Sequence, residues 1–412
     1  MSVNLSSLLS PTVVAPPRIN SAILERYQSP PLYSRLALAD GTVVNGGGAG
    51  VAGVVSGELV FQTGMVGYQE ALTDPSYAGQ ILMFSYPLIG NYGAAAAACE
   101  GPVRARAAIV QELHESAGHY AAGGHLRDFL ATAGVPTVTG VDTRALVRHI
   151  RAHGVMPAAV AVADYAADLP EAASLVAIAS NTKLSTDLVA ACTVAAPTWY
   201  PPAHPDHPTI AVLDYGAKRS IVERLRRAGV GVWLLPAHTP AAQILALHPD
   251  GVLLSNGPGD PAALDYAVAV VGELLAARLP MMGICLGHQV LARALGARTF
   301  KMTHGHRGIN QPVLELASRR VLITTQNHGY SVDPTSLPDD VLVTHTNLND
   351  ATVEGIAHRY LPAWSVQWHP EAHPGPADSD ALFDRFLAAI SPTLGEGRDE
   401  QRFAPTERVT AD

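Results

Sequence analysis

One cysteine in this 412-residue chain has the local sequence of a nucleophile. In Met282-Gly-Ile-Cys285-Leu-Gly-His-Gln289, Cys285 follows a short apolar strand and precedes a helix expected at about 286–295. A strand-to-helix elbow lifts a side chain above the sheet, and the helix N-terminus favours the thiolate over the thiol. The alternative is a buried structural cysteine. Glycines on both sides of the turn, at 283 and 287, favour the nucleophile.

A histidine and a glutamate near the C-terminus could supply the base that a thiol needs. They lie in Ala363-Trp-Ser-Val-Gln-Trp-His369-Pro-Glu371. In an extended segment, residues two apart point the same way, so Glu371 could orient the imidazole while His369 exchanges a proton with Cys285. The chain has 17 histidines, so this pair alone is a weak signal. It gains weight from the cysteine elbow in the same half of the chain.

A glycine- and proline-rich turn is the third candidate element. It reads Leu254-Ser-Asn-Gly257-Pro-Gly259-Asp-Pro261 and follows an expected strand. An ordinary turn explains it equally well. In a functional interpretation, the glycines let backbone N–H groups approach a substrate and help to stabilise an oxyanion.

These three motifs, in this order, resemble the class I glutamine amidotransferase domain over about residues 209–390. The resemblance implies hydrolysis of glutamine by a triad, with Cys285 as nucleophile, His369 as base and Glu371 as the residue that orients the base. It also implies that the N–H groups of Gly257 and Leu286 form the oxyanion hole.

The first half of the chain resembles the N-terminal domain of the carbamoyl-phosphate synthase small subunit. The matching segments there are 61–70, 72–77, 87–91 and 141–144, and further matches follow at 214–218, 326–330 and 373–376. The family resemblance thus spans residues 33–390. It implies a glutamine site at Gly64, Gly257, Gly259, Leu286, Gln289, Asn327, Gly329 and Tyr330. One departure concerns Gly64, where the family often has a serine hydroxyl.

The expected fold class is α/β, with a mixed β/α small-subunit domain followed by an open, mostly parallel amidotransferase sheet. We expect a disordered tail at 1–32, the first domain at 33–192, a linker at 193–208, the second domain at 209–390 and a tail at 391–412. Five prolines in residues 197–208 exclude a helix or a central strand there. In the second domain, strands at 209–214, 230–235, 251–255 and 281–284 alternate with helices, which indicates a parallel sheet with its ligand site at the carboxyl ends of the strands.

Composition excludes several classes of protein. Apolar residues make up 48% and charged residues 15% of the chain, which excludes a disordered polyelectrolyte, and the net charge of −9 leaves no basic surplus for nucleic acid. The uncharged stretch 75–99 contains prolines and glycines unsuited to a membrane helix. Three scattered cysteines indicate a reducing compartment, and we expect a cytoplasmic protein.

The chain itself is expected to hold no metal and no cofactor. The histidine pairs 149/153 and 304/306 lack a further ligand nearby in sequence, and the 46–50 glycine run lacks the Lys-Ser/Thr of a phosphate loop. The resemblance implies a large synthetase subunit as partner, which binds ATP and Mg²⁺ and receives the ammonia. Three alternatives stay open: a glutaminase for another synthase such as one making GMP or anthranilate, a diverged pathway-specific paralogue, and a non-catalytic regulatory subunit.

Overall fold

A computed structural model describes residues 32–115, 118–120, 122–183 and 187–391. The tails predicted at 1–32 and 391–412 therefore lie outside the described residues, except at their inner ends. Leu32 is already the first residue of a strand, and Ser391 follows the last helix.

The first half forms a closed seven-stranded barrel, in the order β1-β2-β8-β6-β4-β3-β9. Its strands are β1 (Leu32–Leu38), β2 (Val43–Ala49), β3 (Gly53–Gln62), β4 (Gln80–Phe84), β6 (Ala107–Ile109), β8 (Thr137–Thr139) and β9 (Met156–Ala163). A separate parallel pair consists of β5 (Leu88–Ile89) and β7 (Glu112–Leu113). The helices are α1 (Tyr68–Thr73), α2 (Leu126–Thr132), α3 (Thr143–His153) and α4 (Ala172–Ser180).

The barrel is mixed in strand direction. β4 pairs in parallel with β3 and β6, whereas β1 pairs antiparallel with β2 and β9. Apolar side chains such as Leu36, Leu59, Ile81 and Val160 fill its core and are fully buried. The mixed β/α character agrees with expectation, whereas closure into a barrel was not predicted. Closure depends on pairing between strands distant in sequence, which periodicity within single segments does not reveal.

The second half forms an open ten-stranded sheet in the order β10-β12-β11-β13-β14-β19-β18-β17-β15-β16. Its strands are β10 (Thr198–Tyr200), β11 (Thr209–Asp214), β12 (Gly231–Pro236), β13 (Gly251–Leu254), β14 (Met281–Ile284), β15 (Thr299–Glu315), β16 (Val321–Val332), β17 (Val341–Asn347), β18 (Val353–His358) and β19 (Ala363–Val366). Its helices are α5 (Arg219–Arg227), α6 (Ala241–Ala246), α7 (Asp265–Ala276), α8 (Leu286–Ala294) and α9 (Ala381–Ile390).

The expectation of a mostly parallel sheet holds for only half of it. The strands β12, β11, β13, β14 and β19 run parallel. The remaining pairs, from β19 through β16 and at the β10 edge, are antiparallel. The long strands β15 and β16 form a hairpin joined by a short turn, because antiparallel neighbours need no crossover helix between them. This hairpin brings residues 325–330 over the carboxyl ends of the parallel strands.

The proline-dense segment predicted as a linker contains one short edge strand, β10. Its Trp199 stacks on Trp233 of β12, with ring centroids 4.7 Å apart. The strand itself contains no proline, and Pro197 and Pro201 flank it. Residues 198–200 of the predicted linker are therefore part of the second sheet.

The barrel and the second sheet belong to one compact unit that begins at Leu32. Val155, next to β9, donates its N–H to the Thr303 carbonyl of β15. The side-chain amide of Asn256, after β13, donates to Ser76 Oγ, which follows α1. The described residues contain no helix that is long and apolar enough to cross a membrane.

Candidate active site

Cys285 lies at a tight elbow between β14 and α8. Its φ and ψ are 53° and −105°, a conformation that a residue with a Cβ adopts only under strain. The elbow also needs small neighbours: a Cβ on Gly287 would lie 2.2 Å from the Leu254 carbonyl oxygen. The Cys285 N–H donates to the Val366 carbonyl, and the thiol donates to the Asn327 carbonyl oxygen at 3.6 Å. The predicted nucleophile is thus fixed at the carboxyl end of the parallel sheet.

His369 and Glu371 form the expected base and orienter pair, but not in an extended strand. β19 ends at Val366, and the two residues lie in the turn that follows. The carboxylate Glu371 Oε1 is 2.7 Å from His369 Nδ1, and both side chains are buried. The backbone N–H of His369 donates to the Thr325 carbonyl of β16, which fixes this turn beside the elbow.

The electrostatics of this pair favour a protonated imidazole. Burial alone lowers the pKa of His369, but Glu371 and Cys285 outweigh it and raise the pKa to about 10. Burial raises the pKa of Glu371, but Lys218 and His369 overcome that effect and hold it well below its usual value. The carboxylate therefore stays ionised and stabilises the imidazolium that forms when His369 takes the thiol proton.

A buried charge network extends the triad, and the sequence analysis missed it. Lys218 Nζ, before α5, lies 2.8 Å from Glu371 Oε1 and 3.4 Å from Glu100 Oε1. His373 Nδ1 lies 2.7 Å from Glu100 Oε1. Glu100 belongs to the first half of the chain, so the network joins the two halves. The sequence offered two signals, Lys218 within the matching segment 214–218 and His373 within the matching segment 373–376, whereas Glu100 lay in no matching segment.

A cavity of about 260 Å³ opens at Cys285. Gln289 donates from its amide to the Tyr330 carbonyl and to Gln367 Oε1. A Cβ on Gly257 would lie 2.2 Å from the Tyr215 carbonyl oxygen, so only glycine fits the turn after β13. Seven of the predicted glutamine-site residues line this cavity: Gly257, Gly259, Leu286, Gln289, Asn327, Gly329 and Tyr330. The two positions expected to form the oxyanion hole, Gly257 and Leu286, therefore line the same cavity as the thiol.

Gly64 is not among the lining residues, whereas Ser76 is. The nearest atoms to a Cβ on Gly64 would be Gln62 Nε2 and the Val66 carbonyl oxygen, both at 3.2 Å. Ser76 lies in a 3-10 turn capped by Asp74, and its Oγ accepts from the Asn256 side chain at 2.9 Å. The hydroxyl missing at position 64 thus has a counterpart at Ser76, which stood unassigned in the matching segment 72–77.

One cluster of described residues could hold a metal ion: His306, His328 and Glu354, all buried. Protein groups already engage its imidazoles. His306 Nε2 lies 3.0 Å from Asp350 Oδ2, and His328 Nδ1 lies 2.8 Å from the Tyr330 carbonyl oxygen. The sequence analysis considered His304 with His306, whereas the fold brings His306 to residues from β16 and β18.

Comparison with known proteins matches both halves of the chain. A family described as "Carbamoyl-phosphate synthase small chain, CPSase domain" matches residues 36–160, and one described as "Glutamine amidotransferase class-I" matches residues 211–389. A carbamoyl phosphate synthase small chain of Symbiobacterium thermophilum is 48% identical over 86% of this chain and 97% of that protein. The chain belongs to the carbamoyl-phosphate synthase small-chain family.

Other members of this small-chain family show similar agreement. The small chain of a Synechococcus strain is 44% identical over 86% of this chain and 93% of that protein. A pyrimidine-specific small chain of Lactiplantibacillus plantarum is 44% identical over 85% of this chain and 94% of that protein. The predicted resemblance is confirmed, and the triad geometry lies within the class I glutamine amidotransferase half.

Proposed function

We propose that this chain is the glutamine-hydrolysing subunit of a carbamoyl-phosphate synthase. The observation that carries the proposal is the buried triad of Cys285, His369 and Glu371, whose cysteine lines a cavity large enough for an amino acid. Membership of the small-chain family supports the same assignment.

The chemistry follows from the geometry. The thiolate of Cys285 attacks the side-chain amide carbon of glutamine, and the N–H groups of Gly257 and Leu286 stabilise the oxyanion. His369 transfers the thiol proton to the leaving nitrogen, which departs as ammonia and leaves a thioester on Cys285. Water then attacks the thioester, with His369 as the base, and glutamate leaves as the thiol re-forms. Glu371 holds the imidazole by its Nδ1 throughout.

A large synthetase subunit is the proposed partner and consumes the ammonia. That partner would bind ATP, Mg²⁺ and bicarbonate, and we assign no cofactor to this chain. The use of the product in pyrimidine or arginine biosynthesis is also a proposal, supported for pyrimidines by the name of the Lactiplantibacillus relative. Three free cysteines support a cytoplasmic location.

Co-expression with the large subunit tests the proposal. The full chain should co-purify with that subunit, release glutamate from glutamine and support carbamoyl phosphate synthesis with glutamine as nitrogen donor. Glutamate release in a complex with a GMP or anthranilate synthase would contradict the assignment. Complex formation without any glutamate release would instead revive the non-catalytic regulatory subunit. A synthetase partner dedicated to a single pathway would indicate a diverged paralogue.

A further inference from the structure

The glutamine cavity is lined by four charged side chains: Glu58, Asp260, Lys301 and Arg307. Three of them already have partners. Lys301 Nζ forms an ion pair with Glu58 Oε1 at 2.6 Å. Asp260 accepts from the Ala262 N–H and from the Tyr330 side chain. Among the residues that the structure describes, no carboxylate forms an ion pair with Arg307, although Glu58 attracts it from a greater distance, so Arg307 is the cavity cation without an ion pair.

Arg307 is buried as well as unpaired. It is 4% exposed, its Nη1 donates to the His304 carbonyl at 2.6 Å, and its Nε has no hydrogen-bond partner. A guanidinium remains charged in a protein, and leaving its buried Nε–H without an acceptor is costly. An anion bound in the cavity would remove this cost.

The position of Arg307 relates it to the substrate site. On β15 it pairs with Asn327 of β16, whose carbonyl oxygen accepts from the Cys285 thiol. Its Nη2 packs against Gly329, where a Cβ would lie only 3.2 Å away. Asn327 and Gly329 both line the cavity with Cys285. The guanidinium therefore lies beside the segment that borders the bound amino acid.

We propose that Arg307 binds the α-carboxylate of glutamine and so selects substrates with a free α-carboxylate. The inference rests on the proposed function. Glutamine has a neutral amide at the end that reacts with Cys285 and a single anionic group at the other end. A planar guanidinium matches a carboxylate in charge and in the spacing of its donors, and it makes strong charge-assisted hydrogen bonds.

The test compares L-glutamine with L-glutaminamide, in which a neutral carboxamide replaces the α-carboxylate. Ammonia release is measured with the full chain in its complex, for wild type, Arg307→Met and Arg307→Lys. Loss of a charged hydrogen bond predicts a KM for glutamine about 10- to 100-fold higher in Arg307→Met, with kcat little changed. The kcat/KM for glutaminamide should change less than about twofold, because that substrate has no carboxylate to lose. Arg307→Lys should recover part of the loss.

Lys301→Met is the matched control, because it removes a cavity cation that is already paired. Any effect of this variant should be the same for both substrates. An equal loss for both substrates in Arg307→Met would overturn the proposal and assign the residue a structural role. The rate of Cys285 alkylation by iodoacetamide as a function of pH reports the ionisation of the thiol. If Arg307→Met shifts this pH profile but leaves the preference for glutamine over glutaminamide unchanged, the proposal is overturned and Arg307 acts as a counter-ion for the thiolate.

Binding measured without turnover separates this proposal from the proposed function. In a Cys285→Ser background, calorimetric titration with glutamine should show about 10- to 100-fold weaker binding when Arg307→Met is added. Equal affinities with and without Arg307→Met would overturn the proposal even if the wild-type complex hydrolyses glutamine. Weakened binding with no hydrolysis by the wild type would support Arg307 and contradict the glutaminase assignment.

Discussion

At the scale of single residues, the family resemblance assigned Gly64 to the glutamine site, whereas the structure places the hydroxyl of Ser76 on the cavity. Ser76→Ala removes a hydroxyl that lines the cavity, and a hydrogen bond of this kind is worth about 1 kcal/mol. We expect the glutamine KM to rise by several-fold to about tenfold with little change in kcat, measured by steady-state glutamate release. Gly64→Ser is the matched control, because it adds a hydroxyl outside the cavity lining. A lower KM in Gly64→Ser would place residue 64 at the substrate after all.

The residues with reactive side chains could be predicted from the sequence, whereas the charged residues that hold them in place could not. Cys285 stands between glycines that mark the elbow, and His369 and Glu371 are neighbours in sequence. Glu100 lies 118 positions before Lys218, its partner in the charge network. No local pattern records a contact over that distance, because it is created only when the two halves fold together.

At the scale of elements, the elbow depends on close contact between α8 and β13. Gly287→Ala places a Cβ 2.2 Å from the Leu254 carbonyl, against backbone that cannot yield without moving β13. We expect a loss of at least about 2 kcal/mol in the free energy of unfolding, in the range for overpacking. Gly272→Ala in α7 is the control, since no atom beyond the neighbouring backbone of its own helix lies within 4 Å of its Cβ and alanine favours a helix. Denaturant titration that showed equal stabilities for the two variants would contradict this account.

The elements of the parallel half were predicted well because their signals are local. The strands expected at 209–214 and 281–284 are both reproduced without change. The antiparallel half was missed because long strands such as β15 contain bulges and polar residues that face the site. Such strands lack the regular alternation on which strand prediction depends.

At the scale of the whole molecule, the network of Glu100, Lys218 and Glu371 couples the two halves to the triad. Lys218→Met removes the ammonium that two buried carboxylates share and leaves each of them only a histidine as its ion-pair partner, and breaking a buried pair costs about 3–5 kcal/mol. We expect a loss of that size in denaturant titration, together with a lower kcat because Glu371 no longer holds His369 in place. A fall in stability with unchanged kcat would show that the network does not position the triad.

The same network predicts a pH dependence of stability. Burial raises the pKa of Glu100, but Lys218 and His373 outweigh it and lower the pKa from 4.5 to about 2. A group with a depressed pKa in the folded state stabilises the fold above its unfolded pKa and loses that contribution as the pH falls. Stability should therefore drop between pH 4.5 and about pH 2, measured by the midpoint of thermal unfolding. Glu100→Gln should flatten that part of the profile, and an unaltered slope would contradict it.

The raised pKa of His369 makes the stability of the fold depend on pH in the alkaline range. The protonated imidazole stabilises the folded state fully below its unfolded pKa of 6.5, and this stabilisation is lost as the pH rises towards about 10. We expect thermal stability to decline over that alkaline range and His369→Gln to reduce the decline. A profile that stays flat in the wild type would show that the imidazolium is not favoured in the folded protein.

The central claim is that Cys285 generates ammonia for a partner that consumes it. Cys285→Ser tests it most directly in the assembled complex, because a serine hydroxyl beside His369 is far less ionised than a thiol. The measurement is carbamoyl phosphate synthesis with glutamine and, separately, with free ammonia as nitrogen donor. We predict that the variant loses synthesis from glutamine and keeps synthesis from ammonia. Loss of both activities in a correctly assembled complex, or retention of both, would contradict the role assigned to Cys285.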